Sequence, residues 1–112
     1  MEELVVKGLV RSIGISNFTV QQVQRLLKSC TIKPANHQIE VHAYFSQKPL
    51  RNLCQQHGIV VSSYGSLGRP GMNGPDDPVL LDDPTIKQLA AKYDKSAAQI
   101  ALRYLVFPSK RI

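Results

Sequence analysis

Gly8-Leu9-Val10-Arg11-Ser12-Ile13-Gly14-Ile15-Ser16-Asn17-Phe18 carries the pattern on which the fold turns: a glycine, an apolar run, then two small polar side chains. Met1 to about Lys7 reads as the last turns of a helix, Gly8 as its stop, and Leu9 to Ile15 as a strand ending on Ser16-Asn17. Downstream, Thr19-x-x-Gln22 has capping-box spacing, and Val20, Val23, Leu26, Leu27 and Cys30 recur at the helical period, so this segment reads as an amphipathic helix packed by one face. A second strand runs from Ala35 to about Val41. Ser46 is the expected cap of a further helix with Pro49 in its first turn and Leu50, Leu53 and Cys54 on one face; Gly58 ends it before Ile59-Val60-Val61. Three strands alternating with helices predict parallel β-α-β units, because parallel neighbours need a crossover and a helix provides it.

After Tyr64 a loop extends to about Asp83 and carries Gly65, Gly68, Gly71, Gly74, Pro70, Pro75 and Pro78. A connection this long inside a compact domain is usually functional or disordered. Asp83-Pro84 then opens a helix containing Ile86, Leu89 and Ala90, and Ser96-x-x-Gln99 is a second capping box ahead of Ala97 to about Val106.

The 112 residues carry 14 Lys and Arg against 8 Asp and Glu, a formal net charge of +6. An excess of this sign favours anionic partners, but the cations are scattered rather than striped, which reads as a solvated surface and not a nucleic-acid interface. Cys30 and Cys54 lack Cys-x-x-Cys spacing, and Met1-Glu2-Glu3 is not the basic start of a secretory signal, so the expectation is reduced thiols in a cytoplasmic protein. No apolar run reaches the roughly 18 residues of a membrane span. His37 and His42, five apart in a predicted strand, face opposite sides, which argues against a shared metal ion with His57, Cys30 or Cys54.

The opening stretch resembles a signature of the aldo-keto reductases. Asn36-His37-Gln38-Ile39-Glu40-Val41-His42-Ala43-Tyr44 and Val60-Val61-Ser62-Ser63-Tyr64-Gly65-Ser66-Leu67-Gly68 follow in that family's order and at about its spacing. The resemblance implies an α/β chain forming part of a TIM (β/α)8 barrel: about three parallel strands with flanking helices from its second half. Such a barrel needs about 250 residues, so residues 1–112 read as the C-terminal portion of one barrel domain.

Family membership further implies NADPH as cofactor and a small aldehyde or ketone as substrate. Ser16, Asn17 and Gln38 are expected on the nicotinamide carboxamide, which needs donors and acceptors without charge, and Tyr64 on the nicotinamide ring, which needs a flat aromatic face. Leu67 and Arg69 fall in the segment that approaches the pyrophosphate, although Gly65 and Ser66 replace a usual Ser and Pro there, and Gly71 lies where an acidic residue is common. Phe107-Pro108-Ser109-Lys110-Arg111-Ile112 looks like a compressed copy of the family's 2′-phosphate signature. No catalytic residue is expected in this chain, because the family's Asp, Tyr, Lys and His belong to the first half of the barrel. Two functions follow as expectations: the cofactor-binding part of a carbonyl reductase, inactive alone, or a non-enzymatic truncated isoform acting as an interaction module. The family is typically monomeric, whereas a sheet left with open edges invites self-association.

Overall fold

The structure, a computed structural model, describes residues 1–69, 71, 74 and 77–106. Among the described residues, five helices, three strands and one 3₁₀ turn follow in the order α1 (Glu2–Val6), β1 (Gly14–Ser16), α2 (Val20–Ser29), β2 (Asn36–Glu40), α3 (Lys48–Gln56), β3 (Val60–Tyr64), the 3₁₀ turn (Leu80–Asp82), α4 (Pro84–Tyr93) and α5 (Ala97–Val106). The strands form one parallel sheet in the order β1-β2-β3, with Gly14, Ile15 and Ser16 opposite Asn36, His37 and Gln38. The predicted alternation of strand and helix is therefore the observed one.

The chain divides into two compact units, the first comprising 1–39 and 47–64, the second 40–46 and 65–112. In the first, α2 packs on α3 and α3 on β3. Val23, Ile39, Leu50, Cys54 and Ile59 are its buried apolar side chains, with His37 fully buried among the polar ones. In the second, α4, α5 and the 3₁₀ turn pack together, with Leu80, Ile86 and Ala101 at the centre and Ala43, Leu67, Ala97 and Ile100 against them.

Both capping boxes form. Thr19 Oγ1 accepts from Gln22 N–H while Gln22 Oε1 accepts from Thr19 N–H, and Ser96 and Gln99 repeat the exchange. Asp83 Oδ1 caps α4 by accepting from Thr85 and Ile86 N–H. Each device satisfies donors that a helix start cannot satisfy internally.

Two boundaries differ from expectation. β1 is only Gly14–Ser16, not Leu9 to Ile15, because the Leu9 and Val10 N–H groups turn back to the Leu4 carbonyl at 2.9 and 3.3 Å and finish α1 instead of entering a ladder. The cap of α3 is Gln47, in a left-handed conformation and without a side-chain capping bond, rather than Ser46. Pro49 in the first turn lacks an N–H, so one of the donors a cap would serve is absent. His42 also lies past the end of β2, in a bridge with Phe45, so strand alternation does not set its side relative to His37.

Candidate cofactor-binding site

Ser16 and Tyr64 are the last residues of β1 and β3, and Gln38 is the middle residue of β2, opposite Ser16. In parallel α/β barrels ligands meet the chain at these strand ends. Gly14 lets β1 approach β2 closely: a Cβ there would lie 2.9 Å from the Asn36 carbonyl oxygen. That closeness sets Ser16 beside Gln38, whose carbonyl accepts from both Ser16 Oγ and Asn17 N–H at 3.0 Å. Asn17 adopts a left-handed backbone with φ of 57°, a region asparagine tolerates better than most side chains. Its Oδ1 accepts from Tyr64 Oη at 2.8 Å. Ser16, Asn17, Gln38 and Tyr64, all named from the sequence, are thus brought together within one unit and linked by hydrogen bonds from β1 to β2 and from the β1 end to β3.

The strand pleat explains which groups remain exposed. Along β2 the side chains of His37 and Ile39 are buried and that of Gln38 is not, so Gln38 presents its carboxamide on the face opposite the core. Deeper in the sheet Ser62 Oγ donates to Asn36 Oδ1 at 3.1 Å, tying β3 to β2. The arrangement offers hydroxyl and amide groups, uncharged and of both hydrogen-bonding senses, next to an aromatic ring. That donor set matches a planar carboxamide on an aromatic ring.

Sequence reasoning considered His37 only as a metal ligand. It is instead buried beneath this cluster, with Nε2 accepting from Phe18 N–H at 3.0 Å and Nδ1 3.5 Å from Cys54 Sγ. Burial lowers the pKa of His37 and raises that of Cys54, so both are neutral in their resting forms. The strand period, which places residue 37 on the same face as Ile39, is the signal that would have found it.

Leu67 and Arg69 belong to the second unit. Leu67 packs against the Leu80, Ile86 and Ala101 core. Arg69, left-handed at φ 52°, donates from Nη2 to Glu40 Oε2 at 2.9 Å, and Glu40 Oε1 lies 3.4 Å from His42 Nε2. The guanidinium named as a phosphate-directed charge therefore has a carboxylate partner within its own unit. Tyr44 Oη donates to Asp83 Oδ2 at 2.8 Å; this bond is the chief reason that the Tyr44 pKa is raised and that of Asp83 lowered. The stretch 107–112 and loop positions 70, 72, 73, 75 and 76 lie outside the described residues. Among the described residues no helix is long and apolar enough to cross a membrane, and no group of three His, Cys, Asp or Glu side chains is placed to hold a metal ion.

A parallel α/β sheet with helices between its strands defines the class: part of a TIM-type (β/α) barrel. The aldo/keto reductase family model matches residues 1–111, and the chain belongs to that family. It is 50% identical over 106 residues to aldo-keto reductase family 1 member A1 of Gallus gallus, covering 93% of this chain and 32% of the relative. It is 44% identical over 110 residues to the NADH-dependent D-xylose reductase of Candida parapsilosis, covering 93% and 34%. Among solved structures, the aldose reductase from Schistosoma japonicum superposes with a TM-score of 0.82 at 43% identity, covering 95% of this chain and 32% of that one. The chain spans about a third of the length of the relatives it matches. Members of this family use nicotinamide cofactors and carbonyl substrates.

Proposed function

We propose that residues 1–112 form the nicotinamide-facing, C-terminal portion of one barrel domain in an NADPH-dependent aldehyde or ketone reductase of the cytoplasm. The observation that carries this reading is the linked cluster of Ser16, Asn17, Gln38 and Tyr64 at the strand ends. Its donor set fits the cofactor: Ser16 Oγ and the Asn17 and Gln38 side-chain amides would hold the carboxamide, and the Tyr64 ring, held by its hydroxyl on Asn17, would offer its face to the nicotinamide. Ser16 Oγ, Asn17 and Tyr64, held in place by hydrogen bonds, would orient the ring face at little further entropic cost, which is the protein's share of the work in cofactor chemistry. NADPH, when bound, supplies the hydride.

Leu67 and Arg69 follow the Tyr64 end of β3 in sequence and are assigned to the pyrophosphate segment. Leu67 anchors that segment by packing into the second unit's core, and Arg69 offers a guanidinium with several donors, oriented by Glu40. The general acid belongs to the part of the family's barrel that these 112 residues do not match, so the chain by itself holds the cofactor wall without the proton donor.

The test is a chimaera in which this chain replaces the third of the Gallus gallus relative that it matches. The chimaera is expected to bind NADPH and to oxidise it with a simple aromatic aldehyde. A folded chimaera that binds no nicotinamide nucleotide would overturn the assignment. Titration with NADH beside NADPH decides the cofactor, since the Candida parapsilosis relative is named for NADH.

A further inference from the structure

The cluster above depends on the backbone geometry at Asn17. Asn17 is left-handed, and its side chain reaches Tyr64 only while the peptides on either side of it hold their orientation. Its own N–H is fixed by the Gln38 carbonyl at 3.0 Å. The next N–H, that of Phe18, is fixed by a side chain instead: His37 Nε2 accepts it at 3.0 Å.

His37 is well built for that task. It is fully buried, the Phe18 ring stands edge-on to it at 6.3 Å, and its Nδ1 lies 3.5 Å from the fully buried Cys54 thiol on α3. Because Nε2 accepts, the proton of the neutral ring sits on Nδ1 and points at the Cys54 sulfur. A protonated ring would carry hydrogens on both nitrogens and could no longer accept from Phe18. Burial favours the neutral form, consistent with the lowered pKa of the group. The contacts run from α3 through β2 to the loop between β1 and α2, all within one unit.

We propose that His37 is a positioning residue for the carboxamide-binding cluster: the imidazole, seated on Cys54, locks the Asn17–Phe18 peptide and so presents the Asn17 side chain to the nicotinamide. This rests on the reading that Asn17 meets the cofactor, but the lock itself is separable from it. His37 does not touch the cofactor and acts only through Asn17.

Two variants, made in the chimaera, differ only in reach. His37→Gln places an acceptor near the Nε2 position, whereas His37→Asn reaches only the Nδ1 position, so both stay polar and close in volume. Hydrogen exchange of the Phe18 amide, read by NMR, is expected to quicken by about tenfold in the Asn variant and to recover in the Gln variant. The Asn17 side-chain amide resonances should move in the first and return in the second. Fluorescence titration with NADPH should weaken and recover in the same order. Equal Phe18 exchange in wild type and His37→Asn, or equal disturbance by Asn and Gln, overturns the proposal by showing that His37 only fills the core. Asn17→Ala separates the two ideas: if it leaves NADPH titration unchanged while His37→Asn still releases the Phe18 amide, the cofactor reading fails and the lock stands.

Discussion

Removing the Tyr64 side chain separates two contributions that the structure joins. The ring is half-buried at the end of β3, and its hydroxyl donates to Asn17 Oδ1 at 2.8 Å. In the chimaera, Tyr64→Ala removes both the ring and that bond. Loss of an aromatic face against the nicotinamide, with its buried area, is worth about 1–3 kcal/mol, or about 5- to 150-fold in Kd. Tyr64→Phe removes only the hydroxyl bond, a net value of about 0.5–1.5 kcal/mol. The lower end is expected, because Asn17 is exposed and water can replace the lost donor. The predicted order of NADPH affinity is therefore wild type, then Phe close behind, then Ala well below, measured by quenching or enhancement of cofactor fluorescence. Unchanged affinity in Tyr64→Ala would refute the stacking role and leave Tyr64 as a strand-end packing residue. An affinity for Phe as poor as that for Ala would instead place the whole effect in the hydroxyl and its hold on Asn17.

Gln38→Ala in the chimaera should weaken NADPH binding by about 0.5–1.5 kcal/mol, the net worth of a neutral hydrogen bond, and calorimetric titration would detect a null effect. The isolated 112-residue chain should show no carbonyl reductase activity, because a positioned proton donor typically contributes about 10²–10⁴-fold; aldehyde-dependent NADPH oxidation by a preparation free of host reductases would sink this. Stability should fall on acidification: His37 is held neutral in the fold, so below its ordinary value of 6.5 the unfolded chain binds a proton that the folded chain does not, and the loss accrues as pH drops towards the depressed folded pKa. His37→Gln should flatten that part of a denaturation-versus-pH curve, and an unaltered curve would assign the slope elsewhere. The isolated chain should also be marginally stable and self-associating, since Val60 of β3 and Leu9 ahead of β1 are 65% and 70% exposed; a monodisperse monomer with a sharp thermal transition would contradict this.

Much of this architecture was legible in the sequence, and for identifiable reasons. Thr19-x-x-Gln22, Ser96-x-x-Gln99 and Asp83-Pro84 are local devices whose chemistry is complete within four residues, and each forms as read. The strand at Asn36–Glu40 alternates buried and exposed positions within a short span. Where the outcome depends on distant groups, the sequence was silent. Two local boundaries were also missed: the Leu4 carbonyl takes the Leu9 and Val10 donors, five and six residues on, in the turn that Gly8 closes, and Gln47 rather than the adjacent Ser46 starts α3. The cluster at the strand ends was named by resemblance, but the bonds that join it span 22 and 47 positions and belong to the fold alone. The partners of His37 and Arg69, likewise distant in sequence, could not be read from either neighbourhood.

The distribution of bonds also explains how the cluster at the strand ends would be arranged in advance of the proposed cofactor. Hydrogen bonds at the exposed face are individually weak, because water competes for every donor and acceptor. Ser16, Asn17 and Tyr64 escape part of that competition: Ser16 Oγ and Asn17 N–H share one carbonyl of the neighbouring strand, and the Tyr64 hydroxyl closes on Asn17. Beneath them, the bond from Phe18 to His37 is sheltered by a side chain with no exposed surface, where a hydrogen bond is harder to replace and its loss leaves an unpaired buried acceptor. The exposed groups borrow their order from the buried one. Substitutions at His37 and Cys54, both fully buried, should therefore disturb the geometry of Asn17 more than substitutions of exposed residues that share no bond with it.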